Sequence, residues 1–180
     1  MLLRSLVSLA CTAILSAASL TPAVAQNDQP KPSPPATATV SLDGRDVTIN
    51  YGAPSMRGRK IFGGLVPFDT VWRTGANEAT SFVTQTNLKI GGTTVPAGSY
   101  TLYTLPSPTR WLLILNKQTG QWGTVYNEPM DLARIAMQSK TLSAPQETMS
   151  ISFENTVGNT TELHIKWDTT NQYVPIAAAQ

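Results

Sequence analysis

Hydrophobic and polar residues alternate with a period of two along much of the chain. Residues 47–51 read Val-Thr-Ile-Asn-Tyr, and residues 149–154 and 162–168 alternate in the same way. Successive side chains of a strand point to opposite faces of its sheet, so this alternation indicates strands that are buried on one face. Residues 111–115 are continuously apolar, which is typical of a strand covered on both faces.

Turn-forming dipeptides separate pairs of these stretches: Asp43-Gly44, Gly91-Gly92 and Gly158-Asn159. Such residues tolerate the positive φ angles of tight hairpins. We therefore predict an all-β fold: an antiparallel β-sandwich, jelly-roll-like or Greek-key, with about nine short strands and at most one short helix. Residues 173–176 should form a last strand at a sheet edge, because Pro175 has no N–H to donate. Residues 130–137 fit either a helix or a strand.

The first 25 residues have the features of a signal peptide. Arg4 supplies a positive charge, residues 6–20 are apolar and uncharged, and Ala23-Val24-Ala25 forms a small-x-small cleavage site. We expect cleavage after Ala25, a periplasmic or secreted location, and no membrane insertion afterwards. A transmembrane anchor and a lipoprotein signal at Cys11 are the alternatives. A proline-rich tether (26–37) and a single domain (38–176) should follow.

Composition argues against nucleic-acid binding and against two kinds of metal site. The net charge is only +2, which creates no field strong enough to attract nucleic acid, so we expect no nucleic-acid partner. The chain has one His and one Cys, and this excludes a thiolate zinc site and a His-cluster metal centre. We therefore predict neither a metal nor a cofactor.

Residues 51–78 interrupt the alternation and concentrate Gly, Pro, Arg and Trp. Long irregular segments on β scaffolds often have functional roles. Arg57 and Arg59 lie in a Gly-rich turn and are candidates for clamping a phosphate or carboxylate, since Arg binds such groups through two donors. The alternative is a solvated basic loop or an Arg that pairs with a nearby acid.

Four residues of the same segment are candidates for a sugar site. Trp72 offers a face for stacking on a pyranose ring, while Arg73, Asn77 and Glu78 offer hydrogen bonds to hydroxyl groups. The alternative is a core tryptophan beside an Arg–Glu pair that stiffens the loop. Trp122 follows in a later loop, where it is either a second stacking surface or a residue packed into the core.

Several strings of this sequence resemble one known family: Gly-Arg-Lys-Ile-Phe-Gly (58–63), Val-Trp-Arg-Thr-Gly-Ala-Asn-Glu-Ala-Thr (71–80), Pro-Ala-Gly-Ser-Tyr (96–100), Asn-Lys (116–117) and Gln-Trp-Gly (121–123). The family is the bacterial exported domain of unknown function 2911, and the resemblance covers about residues 38–176. It implies an exported, β-rich bacterial protein. It implies no activity and no catalytic residues.

We expect a non-catalytic binding domain whose partner is a glycan, an anionic small molecule or an envelope protein. One alternative is a glycan hydrolase in which Glu78 acts with Glu128 or Asp131, because glycosidases need two carboxyls roughly 5–10 Å apart. Another is a structural or assembly role in the envelope. His164, the single histidine, falls on the polar face of a predicted strand and should be solvated rather than catalytic.

Overall fold

The computed structural model describes residues 32–179, so the predicted signal peptide and the first half of the predicted tether (26–31) lie outside the described residues. The described chain forms ten strands and one 3-10 helix (Glu128–Met130). The strands are β1 (Pro35–Leu42), β2 (Arg45–Gly52), β3 (Ser81–Thr84), β4 (Leu88–Ile90), β5 (Thr93–Val95), β6 (Gly98–Leu105), β7 (Leu112–Asn116), β8 (Asp131–Ala136), β9 (Gln138–Val157) and β10 (Thr160–Ala178). The last residues of the predicted tether therefore belong to β1.

The strands form two antiparallel sheets. One sheet has the order β1-β2-β3-β6-β7-β8 and the other has the order β5-β4-β10-β9. This confirms the predicted all-β sandwich, and β8 resolves the open choice for residues 130–137 in favour of a strand. Among residues 32–179, no helix is long and apolar enough to span a membrane.

The core lies between the inner faces of the two sheets. Val47 and Ile49 of β2 are fully buried beside Phe82 of β3, and Leu163 and Ile165 of β10 are buried in the opposite sheet. Each such side chain contributes about 1.5–3 kcal/mol when it leaves water. The alternation in the sequence thus identifies the core-facing positions.

The segment between β7 and β8 covers part of the outer face of the six-stranded sheet; we call residues 117–130 the covering segment. Thr101 Oγ1 of β6 donates to Gln118 O (2.7 Å), and Tyr103 Oη donates to Val125 O (2.7 Å). Both faces of β6 and β7 are therefore buried over several consecutive residues. This confirms the prediction of a strand covered on both sides for residues 112–115, while Trp111 lies buried just before the strand.

β10 bends sharply near Asp168, whose φ is +52°. The register with β9 shifts on both sides of this residue. Ala178 N, at the end of β10, donates to Asn159 O, just before its start (2.8 Å). The second half of β10 therefore returns beside the first half.

This bend buries His164, so the prediction that it is solvated is wrong. The side chain is on the polar face of β10, but the returning half of the strand places Asn171 and Tyr173 against it. His164 Nδ1 lies 3.0 Å from Asn171 Oδ1, and its ring stacks on Tyr173 at 5.1 Å. Glu162 Oε2 lies 3.0 Å from Nε2, which leaves the histidine 2% exposed.

Candidate functional site

The irregular segment 53–80 connects the two sheets. Trp72 forms a bridge with Thr104 of β6, and Trp72 N donates to Thr104 O (2.8 Å). Ser55 forms a second bridge with Thr148 of β9. The segment is thereby fixed to both sheets along its length.

Aromatic rings anchor this segment in the core. Phe62 makes edge contacts with Trp72 (6.0 Å), Trp111 (4.8 Å) and Trp167 (6.2 Å), measured between ring centroids. Trp72 also stacks on Trp167, with centroids 5.9 Å apart and planes inclined by 18°. Trp72 is only half-buried, so it belongs to the core through Trp167 and still reaches the surface.

The turn after Trp72 holds two residues in the left-handed region, Thr74 (φ +54°) and Asn77 (φ +65°). Positive φ is a genuine outlier for a β-branched residue such as Thr74. Its neighbours hold it in place, since Thr74 Oγ1 lies 2.9 Å from Thr104 Oγ1 and Thr80 Oγ1 donates to Thr74 O (3.1 Å). Backbone strain of this kind persists where the surroundings over-determine it, and it clusters at functional sites.

Two clefts lie on either side of Asn77. Its side-chain Nδ2 donates to Ser33 O (3.0 Å), and both residues line both clefts. The first, which we call the Trp72 cleft, has a volume of about 310 Å³ and is also lined by Arg59, Trp72 and Arg73.

The second cleft, which we call the outer groove, has a volume of about 330 Å³. It lies on the outer face of the six-stranded sheet. Besides Ser33 and Asn77, polar residues from three strands and one loop line it: Thr37, Asn50, Ser81 and Glu78. The two clefts therefore share one boundary and differ in their charge.

Arg73 has unused donor capacity. Its Nε is buried and has no hydrogen-bond partner within residues 32–179. Its Cδ packs so closely on Gly123 that a Cβ added at that glycine would overlap it. No ion pair to Arg73 occurs in the described part of the chain. The Arg–Glu pair considered as a structural alternative is thus not formed.

The two other predicted arginines are held by backbone carbonyls. Arg59 Nε donates to Met56 O (2.9 Å) and its Nη2 donates to Ser55 O (2.7 Å), which fixes the side chain beside the Trp72 cleft. Arg57 Nη2 donates to Pro32 O (2.8 Å), and Arg57 lines neither cleft. The structure thus brings Arg59, Trp72 and Arg73 together and leaves Arg57 apart.

Glu78 lines the outer groove rather than the Trp72 cleft, and Trp122 lines neither of them. Their backbones form an antiparallel bridge, and Glu78 lines the groove. Trp122 is 54% exposed, so it is not packed into the core. The covering segment therefore places an exposed tryptophan next to Glu78 in the sheet pairing.

The two acids considered as partners of Glu78 are both engaged elsewhere. Arg134 forms an ion pair with Glu128 (2.8 Å) and another with Asp131 (2.8 Å). Tyr126 Oη donates to Asp131 Oδ2 (2.6 Å), and burial, reinforced by Asp131, raises the pKa of Tyr126 above its ordinary value. The hydrogen bond between Tyr126 and Asp131 therefore holds the covering segment against β8.

Sequence reasoning missed the polar residues of the outer groove, Thr37, Asn50 and Ser81. Each occupies a polar position of an alternating stretch, where a solvated outer face is the ordinary expectation. Only the strand registers place them side by side. The sequence contains no local signal that would have identified them.

Comparisons with known proteins place the chain in a family. Neither the curated proteins nor the solved structures gave a match. The sequence model of the family described as "Protein of unknown function (DUF2911)" matches residues 33–176. This match confirms the resemblance seen in the sequence, and the chain therefore belongs to the DUF2911 family of proteins of unknown function.

Proposed function

We propose that this protein is an exported, non-catalytic binding domain whose Trp72 cleft binds an anionic small ligand. The observation behind this proposal is the buried Nε of Arg73, which has no partner among residues 32–179. A buried donor without a partner costs about 1–3 kcal/mol. Arg73 lines the cleft, and a shift of its side chain on binding would bring this donor to an acceptor of the ligand and offset the cost.

The chemistry of the cleft favours a carboxylate or a phosphate. A guanidinium offers parallel N–H donors that match the two oxygens of such groups. Arg59 adds a second positive charge to the same cleft. Because two arginines line it and no acidic residue among residues 32–179 does, an anion is the complementary ligand.

The Trp72 ring supplies an apolar wall beside these charges. Binding sites combine apolar walls with a few polar groups that fix the orientation of the ligand. A sugar acid fits this combination, because its ring has an apolar C–H face and its carboxylate is planar. Simple uronic acids are therefore suitable probes.

A binding role is favoured over hydrolysis by the positions of the acids. Hydrolysis of a glycosidic bond needs a pair of carboxyls, one acting as an acid. Glu128 and Asp131 are instead paired with Arg134. Export is expected from the leader.

The test is calorimetry and thermal shift on the protein purified after export, with D-glucuronate, inorganic phosphate and neutral D-glucose. We expect glucuronate to bind and glucose not to bind. A ligand at 100 times its Kd adds about 2.7 kcal/mol of stability, which thermal shift detects. Arg73→Met should abolish the response, while Arg45→Met, at an exposed position in neither cleft, should preserve it. Anion binding that survives Arg73→Met would overturn the proposal.

A further inference from the structure

A row of polar side chains crosses the whole outer face of the six-stranded sheet. The registers of the five strand pairs align one residue from each strand, in the order Thr37, Asn50, Ser81, Thr101, Asn116 and Asp131. Directly opposite residues in antiparallel strands lie close enough for their side chains to interact. The row is therefore a continuous strip of hydrogen-bonding groups.

One half of this row is covered and internally satisfied. Thr101 Oγ1 donates to Gln118 O (2.7 Å), and Asn116 Nδ2 donates to Asn127 O and to Asp131 Oδ1 (both 2.8 Å). All of these partners lie in the covering segment or at its end. This half holds the segment in place and is closed to ligands.

The other half lies open in the outer groove. Thr37 Oγ1 donates to Asn50 Oδ1 (2.8 Å), and Asn50 Nδ2 donates to Ser81 Oγ (3.3 Å). This arrangement leaves the hydroxyl proton of Ser81 and the second amide proton of Asn50 available. Apolar surface from Ala36 and Ala79 flanks these donors.

The covering segment meets the groove where the covered half begins. Gln121 Nε2 donates to Thr101 Oγ1 (3.1 Å), and the next residue is the exposed Trp122, whose backbone pairs with Glu78. Glu78 itself lines the groove. The bridge therefore holds the backbone of the exposed Trp122 beside one end of the groove.

We propose that the outer groove binds neutral pyranose units, and that the ligand of this protein is an oligosaccharide with one acidic unit. Pyranose rings present an apolar C–H face and a rim of hydroxyl groups, which match the flanking alanines and the polar row. The acidic unit occupies the Trp72 cleft, across the shared boundary at Asn77. Among residues 32–179, no Lys or Arg lines the groove, so it offers no cation for a second acidic unit. This inference rests on the proposed function, since it assumes the anion site at Arg73.

The experiment measures affinity by calorimetry for three probes: D-glucuronate, aldotetraouronic acid (one glucuronate unit linked to xylotriose) and neutral xylotetraose. We expect the acidic tetrasaccharide to bind about tenfold more tightly than glucuronate, because linked units bind at high effective concentration. Xylotetraose should bind most weakly, because it lacks the carboxylate for Arg73.

Two variants test whether the tenfold gain in affinity for the tetrasaccharide comes from contacts in the outer groove. Asn50→Ala and Trp122→Ala should remove the tenfold gain and leave the glucuronate affinity unchanged. Both residues are exposed, so the variants should fold, and their thermal midpoints verify this. Thr39→Ala is the matched control, since Thr39 is exposed on the same face of β1 but does not line the groove.

The two proposals fail in different ways. A tetrasaccharide that binds no more tightly than glucuronate, with both affinities lost in Arg73→Met, would overturn the groove inference and leave the anion site standing. If binding of the tetrasaccharide depended on Asn50 but not on Arg73, the proposal that the ligand contains an acidic unit bound at Arg73 would be wrong. Glucuronate binding that is unaffected by Arg73→Met would overturn the proposed function itself.

Discussion

Arg59 and Arg73 line the same cleft but are held in opposite ways. Arg59 donates two hydrogen bonds to backbone carbonyls of its own turn, so its guanidinium stabilises the loop. Arg73 has a buried Nε without a partner in residues 32–179, so its guanidinium destabilises the ligand-free protein. Such a loss of stability is common for residues that bind ligands, the role proposed for Arg73.

This contrast gives the first prediction. Arg73→Met should raise the free energy of unfolding by about 1 kcal/mol, because it removes an unsatisfied buried donor. Arg59→Met should lower it by about 1–2 kcal/mol, because two backbone acceptors lose their donor. Urea denaturation of both variants without ligand measures the difference. A loss of stability in Arg73→Met equal to that in Arg59→Met would show that Arg73 is structural.

Local strings in the sequence identified the Trp72 cleft but not the outer groove. Trp72, Arg73 and Asn77 are neighbours in the chain, so they stand out within one irregular stretch that is rich in unusual residues. Asn50 and Ser81 are distant in the chain and meet only through strand register. A single sequence does not specify which polar positions of different strands become neighbours.

At the scale of structural elements, the covering segment packs against the turn 73–78, which contains residues that line both clefts. Gly123 lies under Arg73, and a Cβ there would overlap Arg73 Cδ and lie 2.7 Å from Asn77 O. Glu78 O would be 3.1 Å away. The glycine is therefore required for the close approach of the covering segment to the turn 73–78.

The second prediction follows from this contact. Gly123→Ala should cost about 1–3 kcal/mol of stability through overpacking, and it should weaken glucuronate binding because Arg73 has to move. Gly120→Ala is the control, since Gly120 has open space around its Cβ position but a φ of +78°. It should cost about 1–2 kcal/mol and leave the affinity unchanged. Equal affinities for the two variants, measured by calorimetry, would contradict the proposed coupling.

The two longest strands show where pattern-based prediction of elements failed. We expected short strands, but β9 has 20 residues and β10 has 19. Residues 173–176 belong to β10, an inner strand, rather than to a separate edge strand. Pro175 is tolerated because β10 pairs with β9 up to Tyr173 and with β4 only from Ile176. Alternation locates strand positions, whereas bends and changes of partner depend on tertiary packing.

At the scale of the whole molecule, the outer face of the four-stranded sheet holds a charged cluster that links stability to pH. Hydrogen bonds from Asn155 and His164 hold the pKa of Glu162 below its ordinary value. Burial alone would raise the pKa of Glu154, but hydrogen bonds from Lys166 and Ser152 outweigh it and lower the pKa. Both carboxylates are therefore stabilised in their ionised form by folding.

The lowered pKa values of these two carboxyls determine how the stability of the protein changes with pH. A carboxyl whose pKa is lower in the folded state than in the unfolded state binds fewer protons when folded. Its contribution to stability is complete above the unfolded pKa of about 4.3, and it is lost as the pH falls through the folded pKa. The contribution of these two carboxyls to the free energy of unfolding should therefore be complete above about pH 5 and decrease below about pH 5.

The third prediction assigns part of this decrease to Glu162. Glu162→Gln should lower stability at pH 7, because His164 and Asn155 lose their charged partner, and should make the decrease below about pH 5 shallower. Urea denaturation at several pH values measures both effects. Glu128→Gln is the control, since Glu128 is 69% exposed beside Arg134 and surface pairs contribute about 0–1 kcal/mol. If Glu162→Gln retained the full wild-type decrease, the acid sensitivity would arise elsewhere, and the cluster around His164 would not govern the response of the fold to acid.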